Sequence, residues 1–305
     1  IHKAQMPVIC VGNITTGGTG KTPLVIWLAE MIRQKGLKCA ILTRGYKTRK
    51  GRLSDEPALL TKSCPDAVIM VNPDRVMAAK KAIQEYGAQV LVMDDGFQHR
   101  RLARDLNIVA IDAMSPFGGG FVLPAGLLRE PVSSLKRADA VIITRSNQAP
   151  EIQLHLIEER IRRVNPAAVI ARSSHVPVKV GMLKGMSLDV ESLKGQNIFA
   201  FCGIGNPDGF FGMLKDMKLS LVGTRVYDDH WDYSPSDMEE IRREAKKLGA
   251  DIVLTTQKDW VKTALAAAWD GDEPPLLGYL DIRLEIAEGK DRIVELIDGV
   301  INRQP

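Results

Sequence analysis

Thr15-Thr16-Gly17-Gly18-Thr19-Gly20-Lys21-Thr22 is the stretch of sequence that decides the fold of this chain. It follows an apolar run at residues 8–11, which predicts a buried strand, and it precedes an apolar run that predicts a helix from Lys21. Strand, glycine-rich turn and helix together make a phosphate cradle, because the glycines let backbone N–H groups approach phosphate oxygens and the helix N-terminus adds partial positive charge. Lys21 is then expected to reach the β- and γ-phosphates, and the Thr22 hydroxyl to ligate Mg²⁺.

The general phosphate-loop pattern is broken at one position, since it wants a glycine where Thr15 stands. A chance glycine-rich turn is therefore the alternative interpretation. The flanking strand and helix favour the phosphate loop, because the mechanism requires both. The pattern indicates a nucleotide-dependent enzyme or switch.

The composition of the 305 residues is ordinary for a soluble α/β protein, and the net charge of +4 suits anionic substrates or an anionic membrane face. No basic run is interleaved with aromatic residues, so nucleic acid is not expected as a partner. Cys10, Cys39 and Cys202 lie in apolar stretches, which indicates core residues in a reducing compartment. No apolar run is long enough to span a bilayer. Because the chain begins at Ile1, we expect a segment upstream of it to be missing from this sequence.

Short apolar runs alternate with helical patterns, which predicts an α/β fold: a P-loop NTPase-like, mostly parallel sheet with helices on both faces, plus a smaller C-terminal α/β domain. The polar stretch at residues 146–150 is the predicted boundary, with a nucleotide-binding domain at 1–145 and the smaller domain at 146–305. In the first half the predicted strands are residues 8–11, 39–43, 67–71, 90–94, 107–111 and 140–144, and the predicted helices are residues 21–35, 75–86 and 133–137. In the second half the predicted strands are residues 168–173, 176–181, 197–202, 220–226, 251–256 and 276–286.

Two aspartates end the strand predicted at residues 90–94, where a P-loop enzyme holds its metal-organising carboxylate. Asp94 is the better candidate for Mg²⁺, directly or through water. If the strand continues through Asp95, its side chain points to the opposite face of the sheet from Asp94, towards substrate or a second metal. A turn-forming Asp-Gly pair is the alternative. For His99, just beyond, the pattern supports a structural and a functional role equally.

The remaining chemical candidates are weaker. Ser54-Asp55-Glu56-Pro57 is predicted to lie in a long polar loop, where a carboxylate could act as general base, although this pattern is more typical of a helix start. His230 lies in a loop rich in acids and aromatics, and either orients a base or belongs to a polar loop before a helix. Residues 117–128 form a glycine-rich apolar loop that either contacts acyl chains or lipid, or packs beneath the sheet, which the pattern slightly favours.

Taken together, these motifs resemble one family, tetraacyldisaccharide 4′-kinase, the lipid A 4′-kinase of Gram-negative bacteria. The resemblance covers nearly the whole chain in order, and the departure at Thr15 is itself a feature of that family. It rests on residues 11–23, then on Thr43-Arg44-Gly45-Tyr46, Asp55-Glu56-Pro57, Asp94-Asp95-Gly96-Phe97-Gln98-His99, Leu123-Pro124-Ala125-Gly126, Leu128-Arg129-Glu130, Asp229-His230 and Thr256-Gln257-Lys258-Asp259.

The resemblance implies transfer of the ATP γ-phosphoryl group to the 4′-hydroxyl of a tetraacylated glucosamine disaccharide 1-phosphate, giving lipid IV-A. It implies that Asp55 is the general base and His230 its partner. Because these two residues fall in separate predicted domains, we expect the smaller domain to close over the nucleotide and so complete the pair. Thr15, Thr16, Gly17, Gly18, Thr19, Gly20, Lys21 and Thr22 would bind ATP; Thr22, Asp94 and Asp95 would organise Mg²⁺; Lys21 and Asp95 would serve the reacting centre; and Glu56, Arg75, Gln98, His99 and Arg129 would line the site around metal, nucleotide and lipid headgroup.

The resemblance also implies a peripheral protein at the cytoplasmic face of the inner membrane, which we expect to be a monomer. Two other classes compete with this reading. A P-loop ATPase switch of the partitioning or metal-insertion type has a similar loop, but those proteins carry a signature lysine where this chain has Thr16. A module that merely binds an anion at the loop would show no turnover.

Overall fold

The computed structural model describes residues 1–45, 55–229, 231–266, 269 and 273–302. It divides into two compact units, one formed by Ile1–His175 with Leu284–Pro305 and the other by Val176–Arg283. These divisions differ in position from the domain boundary expected at residue 146, and the closure of one part of the chain over a nucleotide stays a prediction.

The strands in the described residues are β1 (Val8–Gly12), β2 (Cys39–Thr43), β3 (Val68–Val71), β4 (Val90–Asp94), β5 (Leu106–Asp112), β6 (Ala140–Thr144), β7 (Val169–Met182), β8 (Ser187–Asp189), β9 (Asn197–Cys202), β10 (Ser220–Val226), β11 (Ile252–Thr256) and β12 (Leu276–Glu288). The helices are α1 (Lys21–Gln34), α2 (Asp55–Ser63), α3 (Arg75–Tyr86), α4 (Glu151–Val164), α5 (Pro207–Asp216), α6 (Pro235–Lys247), α7 (Gln257–Ala266) and α8 (Lys290–Ile301).

The first unit is built on a parallel sheet in the order β7-β6-β5-β1-β4-β2-β3. Its central strand β1 is buried along its whole length, so both faces carry apolar side chains. Val8 and Cys10 join a core with α3 and α4. Ile9 and Val11 join a second core with α1, α2 and α8. Because alternate residues of one strand enter two different cores, helices cover both faces, as the alternation of apolar runs predicted.

In the second unit, parallel strands follow the order β10-β9-β11-β12, and β8 pairs antiparallel with β7. Alternate residues of β9 again enter two cores: Ile198 and Ala200 pack with α5, and Phe199 and Phe201 pack with α6. The sheet order and the two-sided helix cover confirm the predicted α/β class.

Several local predictions need correction. Of the two alternatives for residues 54–57, the helix start is confirmed, because α2 begins at Asp55. The two strands expected at residues 168–173 and 176–181 are one strand, β7, because the chain stays extended through the polar residues between them. The helix expected at residues 133–137 is a 3-10 segment, Val132–Arg137. Cys10, Cys39 and Cys202 are buried as predicted, and Cys64 is buried as well.

Of the helices in the described part of the chain, none combines the length and the apolar character that a bilayer crossing requires.

Candidate active site

The glycine-rich loop joins the carboxyl end of β1 to the first turn of α1. Gly17 has a φ of 95° and Gly20 a φ of 77°, both in the left-handed region that side chains with a Cβ rarely adopt. Gly20 is the residue that precedes α1, so the chain turns into the helix directly at Lys21. The sequence pattern therefore produces the expected geometry, in which a helix N-terminus opens at the end of a buried strand.

Side chains at the carboxyl ends of β1 and β6, which flank β5 in the sheet, fix the conformation of this loop. The Asn13 amide donates to Oγ1 of Thr19 at 2.8 Å, and Oγ1 of Thr144 donates to the Thr19 carbonyl at 3.0 Å. Nη2 of Arg145 donates to the Gly18 carbonyl at 2.9 Å. With these carbonyl oxygens bonded inwards, the loop is fixed in a shape that can present backbone N–H groups to an anion.

Asp95 is the centre of a charged cluster beside the loop. Its carboxylate lies 3.5 Å from Nζ of Lys21, and Nη1 of Arg129 donates to both of its oxygens at 2.9 and 2.8 Å. Burial acts to raise the pKa of Asp95, but the charges of Lys21 and Arg129 outweigh it and hold that pKa below its usual value. Asp95 is therefore ionised at neutral pH and positions two cations at the loop.

Asp94 is buried at the end of β4, and it accepts a hydrogen bond from Oγ1 of Thr43 at 3.2 Å. Its pKa is raised to about 7, mainly by burial and then by the nearby charges of Glu56 and Asp95, against the opposing effects of Lys21 and Thr43. The influence of Glu56 shows that the first turn of α2 lies close to the end of β4. The charges of Glu56 and Asp95 therefore act on Asp94 at the edge of the sheet where the sequence predicted a metal site.

Arg75 begins α3 and is buried. Its Nη1 donates to the Asn72 carbonyl at 2.7 Å, and its Nη2 donates to the Asp94 carbonyl at 3.4 Å. Burial lowers its pKa more than the nearby Asp94 and Asp95 raise it. The guanidinium adds positive charge beneath the carboxyl groups, and its Nε is buried and unbonded.

Gln98 and His99 follow the aspartates on the same loop. The Gln98 side-chain amide donates to the Asn13 carbonyl at 2.9 Å, which ties this loop to the start of the glycine-rich loop. Burial lowers the pKa of His99, with Arg75 and Arg101 adding to the effect, so its imidazole is neutral at pH 7. The buried Nε2 of His99 and Oε1 of Gln98 have no hydrogen-bond partner.

The structure thus brings together Lys21, Asp95 and Arg129, and places Glu56, Asp94 and Arg75 beside them. Two predicted catalytic side chains, those of Asp55 and His230, lie outside the described residues. Asp55 is the first residue of α2, whereas the backbone of His230 lies outside them as well. Their roles stay predictions.

Sequence reasoning missed Asp112, Thr144 and Arg145, which support the glycine-rich loop. Arg145 is buried, and Asp112 accepts hydrogen bonds from both its Nε and its Nη2. A signal was available: Thr144 and Arg145 follow a fully apolar run, so they fall at the carboxyl edge of a parallel sheet, where ligand sites form.

Among the described residues there is no group of three or more His, Cys, Asp or Glu placed to hold a metal ion. The donors that converge here still fit a magnesium site, because carboxylate and hydroxyl oxygens are the ligands that Mg²⁺ prefers. Asp94 and Asp95 offer the carboxylates, and Thr22 in the first turn of α1 offers the hydroxyl. Burial first, and then the like charges of Glu56 and Asp95, raise the pKa of Asp94, and a bound divalent cation would favour its ionised form.

A glycine-rich loop between a buried strand and a helix, a lysine at the helix start and carboxylates at the end of an adjacent parallel strand define the class of P-loop phosphate-binding proteins. Comparison with known proteins identifies the family within this class. The model of the family LpxK, tetraacyldisaccharide-1-P 4′-kinase, matches residues 1–302. The chain belongs to this family.

Individual proteins that are similar to this chain carry the name of the same family. The chain is 36% identical over 319 residues to a tetraacyldisaccharide 4′-kinase of Anaeromyxobacter sp. (strain Fw109-5), which covers 99% of this chain and 84% of that protein. It is 40% identical over 281 residues to the protein of that name from Elusimicrobium minutum, with 86% and 74% covered. The crystal structure of the apo form of LpxK from Aquifex aeolicus in complex with ATP superposes with a TM-score of 0.73 at 28% identity, over 99% of this chain and 90% of that one.

Proposed function

We propose that this protein is an ATP-dependent lipid kinase, which transfers the γ-phosphoryl group of ATP to the 4′-hydroxyl of a tetraacyldisaccharide 1-phosphate and so forms lipid IV-A for lipid A biosynthesis. The observation that carries the proposal is the family match over residues 1–302, which includes the glycine-rich loop and the charged cluster beside it. The product then carries a second phosphate, and ADP is released.

The phosphate groups of ATP would bind at residues 15–22. Phosphoryl transfer depends mainly on alignment and on the neutralisation of charge on the transferred group. Lys21 and Arg129 supply that charge, and Asp95 holds both cations at the mouth of the loop. Thr22, Asp94 and Asp95 would hold Mg²⁺, which when bound supplies further neutralisation at the phosphate oxygens.

The accepting hydroxyl must lose its proton as the new P–O bond forms. We assign the base role to Asp55 and the role of its partner to His230, on the strength of the family resemblance. Support comes from α2, since Glu56 in the same turn is close enough to Asp94 to raise its pKa. Arg75, Gln98 and His99 would complete the site around the headgroup.

A substrate with four acyl chains resides in a membrane, so we further propose that the protein works peripherally at the cytoplasmic face of the bacterial inner membrane, as a monomer. The P-loop ATPase switch, the competing class, is not favoured by the family match.

The proposal is tested by incubating the purified protein with ATP, Mg²⁺ and tetraacyldisaccharide 1-phosphate in detergent micelles, and by following lipid phosphorylation and ADP release separately. Phosphorylated lipid formed in step with ADP is the expected result. ADP release without lipid product would indicate a switch, and no turnover with retained nucleotide binding would indicate an anion-binding module.

The base assignment has a matched control in the same region of the chain. Asp55→Ala is expected to lower kcat by roughly 10²–10⁴ while ATP still binds. Asp66→Ala removes an aspartate whose side chain is exposed and lies 3.9 Å from Arg33, so it is expected to leave kcat within about twofold. Equal activity of the two variants would remove Asp55 from the base role.

A further inference from the structure

The residues on both sides of His230 are described, although His230 itself is not. We call residues 227–229 and 231–233 the two flanks of His230. The first flank follows β10 directly, and Tyr227 N–H donates to the Cys202 carbonyl at the end of β9 at 2.8 Å. The second flank ends at Tyr233, which is buried. Packed residues of the second unit therefore precede and follow the position of the proposed partner of the base.

Aromatic rings join the flanks to each other and to the sheet. The Tyr227 ring lies 5.5 Å from the Trp231 ring and 5.1 Å from the Tyr233 ring, measured between centroids. Tyr233 also packs edge-on against Phe201 of β9 at 5.4 Å. Between the flanks, Trp231 N–H donates to the Asp228 carbonyl at 3.0 Å. A displacement of one flank would therefore act on the other.

Gly203, the residue that follows β9, lies against both flanks. A Cβ at this position would lie 3.0 Å from the Tyr233 hydroxyl oxygen, 3.1 Å from the Asp228 carbonyl oxygen and 3.2 Å from Cβ of Trp231. Asp228 belongs to the first flank, and the other two residues belong to the second. A methyl group at residue 203 would therefore push on the chain on both sides of His230.

Asp259 holds Gly203 in this place. The Asp259 side chain is fully buried, and its Oδ2 accepts hydrogen bonds from Gly203 N–H at 3.0 Å and from Oγ1 of Thr256 at 2.8 Å. Its Oδ1 lies 3.5 Å from Nζ of Lys262, which is buried as well. Burial, and then the nearby charge of Asp259, raise the pKa of the Tyr233 phenol. Asp259 therefore fixes the backbone under the flanks and also lies close to the second flank.

The residue before Asp259 reaches the first flank. Nζ of Lys258 lies 3.2 Å from Oδ1 of Asp229, which directly precedes His230. A partly exposed ion pair of this kind contributes little stability by itself, but it adds a second attachment between the flanks and the start of α7. The motif Thr256-Gln257-Lys258-Asp259, to which the proposed reaction gives no role, is thus connected to both sides of His230.

We propose that Gly203 and Asp259 are positioning residues for the phosphoryl transfer, and that they act by fixing the flanks of His230. This inference rests on the proposed function, in which His230 is the partner of the base Asp55. An imidazole assists a carboxylate base only when it is held within hydrogen-bond reach of it. Since a misplacement of about 1 Å can lower a rate by about 10²-fold, neither residue needs to touch the substrate to affect kcat.

The first experiment is a double-mutant cycle on kcat, measured with saturating ATP and tetraacyldisaccharide 1-phosphate in micelles. Gly203→Ala is expected to lower kcat by roughly 10–10²-fold, with both KM values changed by less than about twofold. In a His230→Ala background the same substitution should lower kcat by no more than about twofold, because the group through which it acts is already absent. Gly212→Ala is the matched control, since a Cβ at Gly212 on α5 would meet open space, and it should leave kcat unchanged.

The second experiment measures the flanks themselves, by hydrogen–deuterium exchange of the full chain without substrate. Asp259→Asn keeps an oxygen that can accept the Gly203 N–H bond, whereas Asp259→Ala removes it. In a peptide that covers residues 227–233, exchange should be about tenfold faster in Asp259→Ala than in the unmodified protein, and slower again in Asp259→Asn. Gly203→Ala should also speed exchange there and Gly212→Ala should not. Peptides from β1 report global unfolding and should be unchanged in each variant.

Equal losses of kcat from Gly203→Ala with and without the His230 side chain would overturn the inference, because the effect would then not pass through that side chain. Unchanged exchange in residues 227–233 of both Gly203→Ala and Asp259→Ala would overturn it as well. Failure of the unmodified protein to phosphorylate the lipid would instead refute the proposed function, and the exchange experiment would still decide whether Gly203 and Asp259 fix the flanks.

Discussion

The variant Arg145→Met tests whether the hydrogen bonds of Arg145 hold the glycine-rich loop in the shape that binds ATP. The Arg145 guanidinium donates to both oxygens of Asp112, with Nε at 2.9 Å from Oδ1, and to the Gly18 carbonyl at 2.9 Å. Both residues of this ion pair are 8% exposed. Methionine has a side chain of similar length but cannot form these bonds.

The size of the expected loss in the free energy of unfolding follows from the burial of this ion pair. Removing one partner of a buried ion pair costs about 3–5 kcal/mol, because the other charge stays buried and unpaired. Asp112 keeps one hydrogen bond, from Met114 N–H at 3.1 Å, so the loss in the free energy of unfolding should lie near the lower end, at about 3 kcal/mol. The double variant Asp112→Asn/Arg145→Met removes both charges and should be destabilised less than the sum of the two single changes.

The assay is a double-mutant cycle of urea unfolding curves, together with nucleotide binding by each variant. Coupling between the two residues should be at least about 1 kcal/mol. Because the Gly18 carbonyl loses its bond only when Arg145 changes, ATP affinity should fall about tenfold in Arg145→Met and much less in Asp112→Asn. Additive unfolding energies, or equal ATP affinity in both single variants, would refute the reasoning.

Three further outcomes are expected. Lys21→Ala should lower kcat by roughly 10²–10³ through lost charge at the γ-phosphate, whereas the free energy of unfolding should change little; steady-state kinetics and urea curves check both. Gly12→Ala should destabilise the protein by about 1–3 kcal/mol, because a Cβ there would meet the Phe97 backbone N at 2.8 Å; a melting temperature equal to that of the unmodified protein would contradict this. Burial, with Arg145 nearby, lowers the pKa of His175 from 6.5 to about 4. The unfolded chain therefore takes up this proton first as the pH falls, and by pH 5 His175 should cost about 2 kcal/mol of stability relative to pH 7.5; unfolding curves of His175→Gln should lack that part of the pH dependence.

The phosphate loop could be predicted because its geometry depends on near neighbours. Gly17 and Gly20 adopt left-handed backbone angles wherever such a turn joins a strand to a helix, and the apolar run before them fixes the strand. The placement of Asp94 and Asp95 at a strand end followed from the same local pattern.

Contacts between distant parts of the chain could not be predicted in this way. Arg129 binds Asp95 across 34 positions, and Arg145 binds the Gly18 carbonyl across 127. Each pairing depends on the strand order β6-β5-β1-β4, which no local pattern contains. The unbroken strand β7 was misjudged for a related reason, since tertiary packing decided between local alternatives that the sequence left close in energy.

The first unit is interrupted in the sequence, since residues 176–283 intervene before Leu284 returns to it. Ile293, Ile297 and Ile301 of α8 share a core with Leu24 and Leu28 of α1, and Lys35 lies 2.7 Å from Asp298. During translation, the nascent chain must therefore expose this apolar surface of α1 until the ribosome has delivered α8, whereas the inserted segment can fold earlier. A stop codon placed before α8 would leave the ATP loop fully translated and its supporting core unfinished.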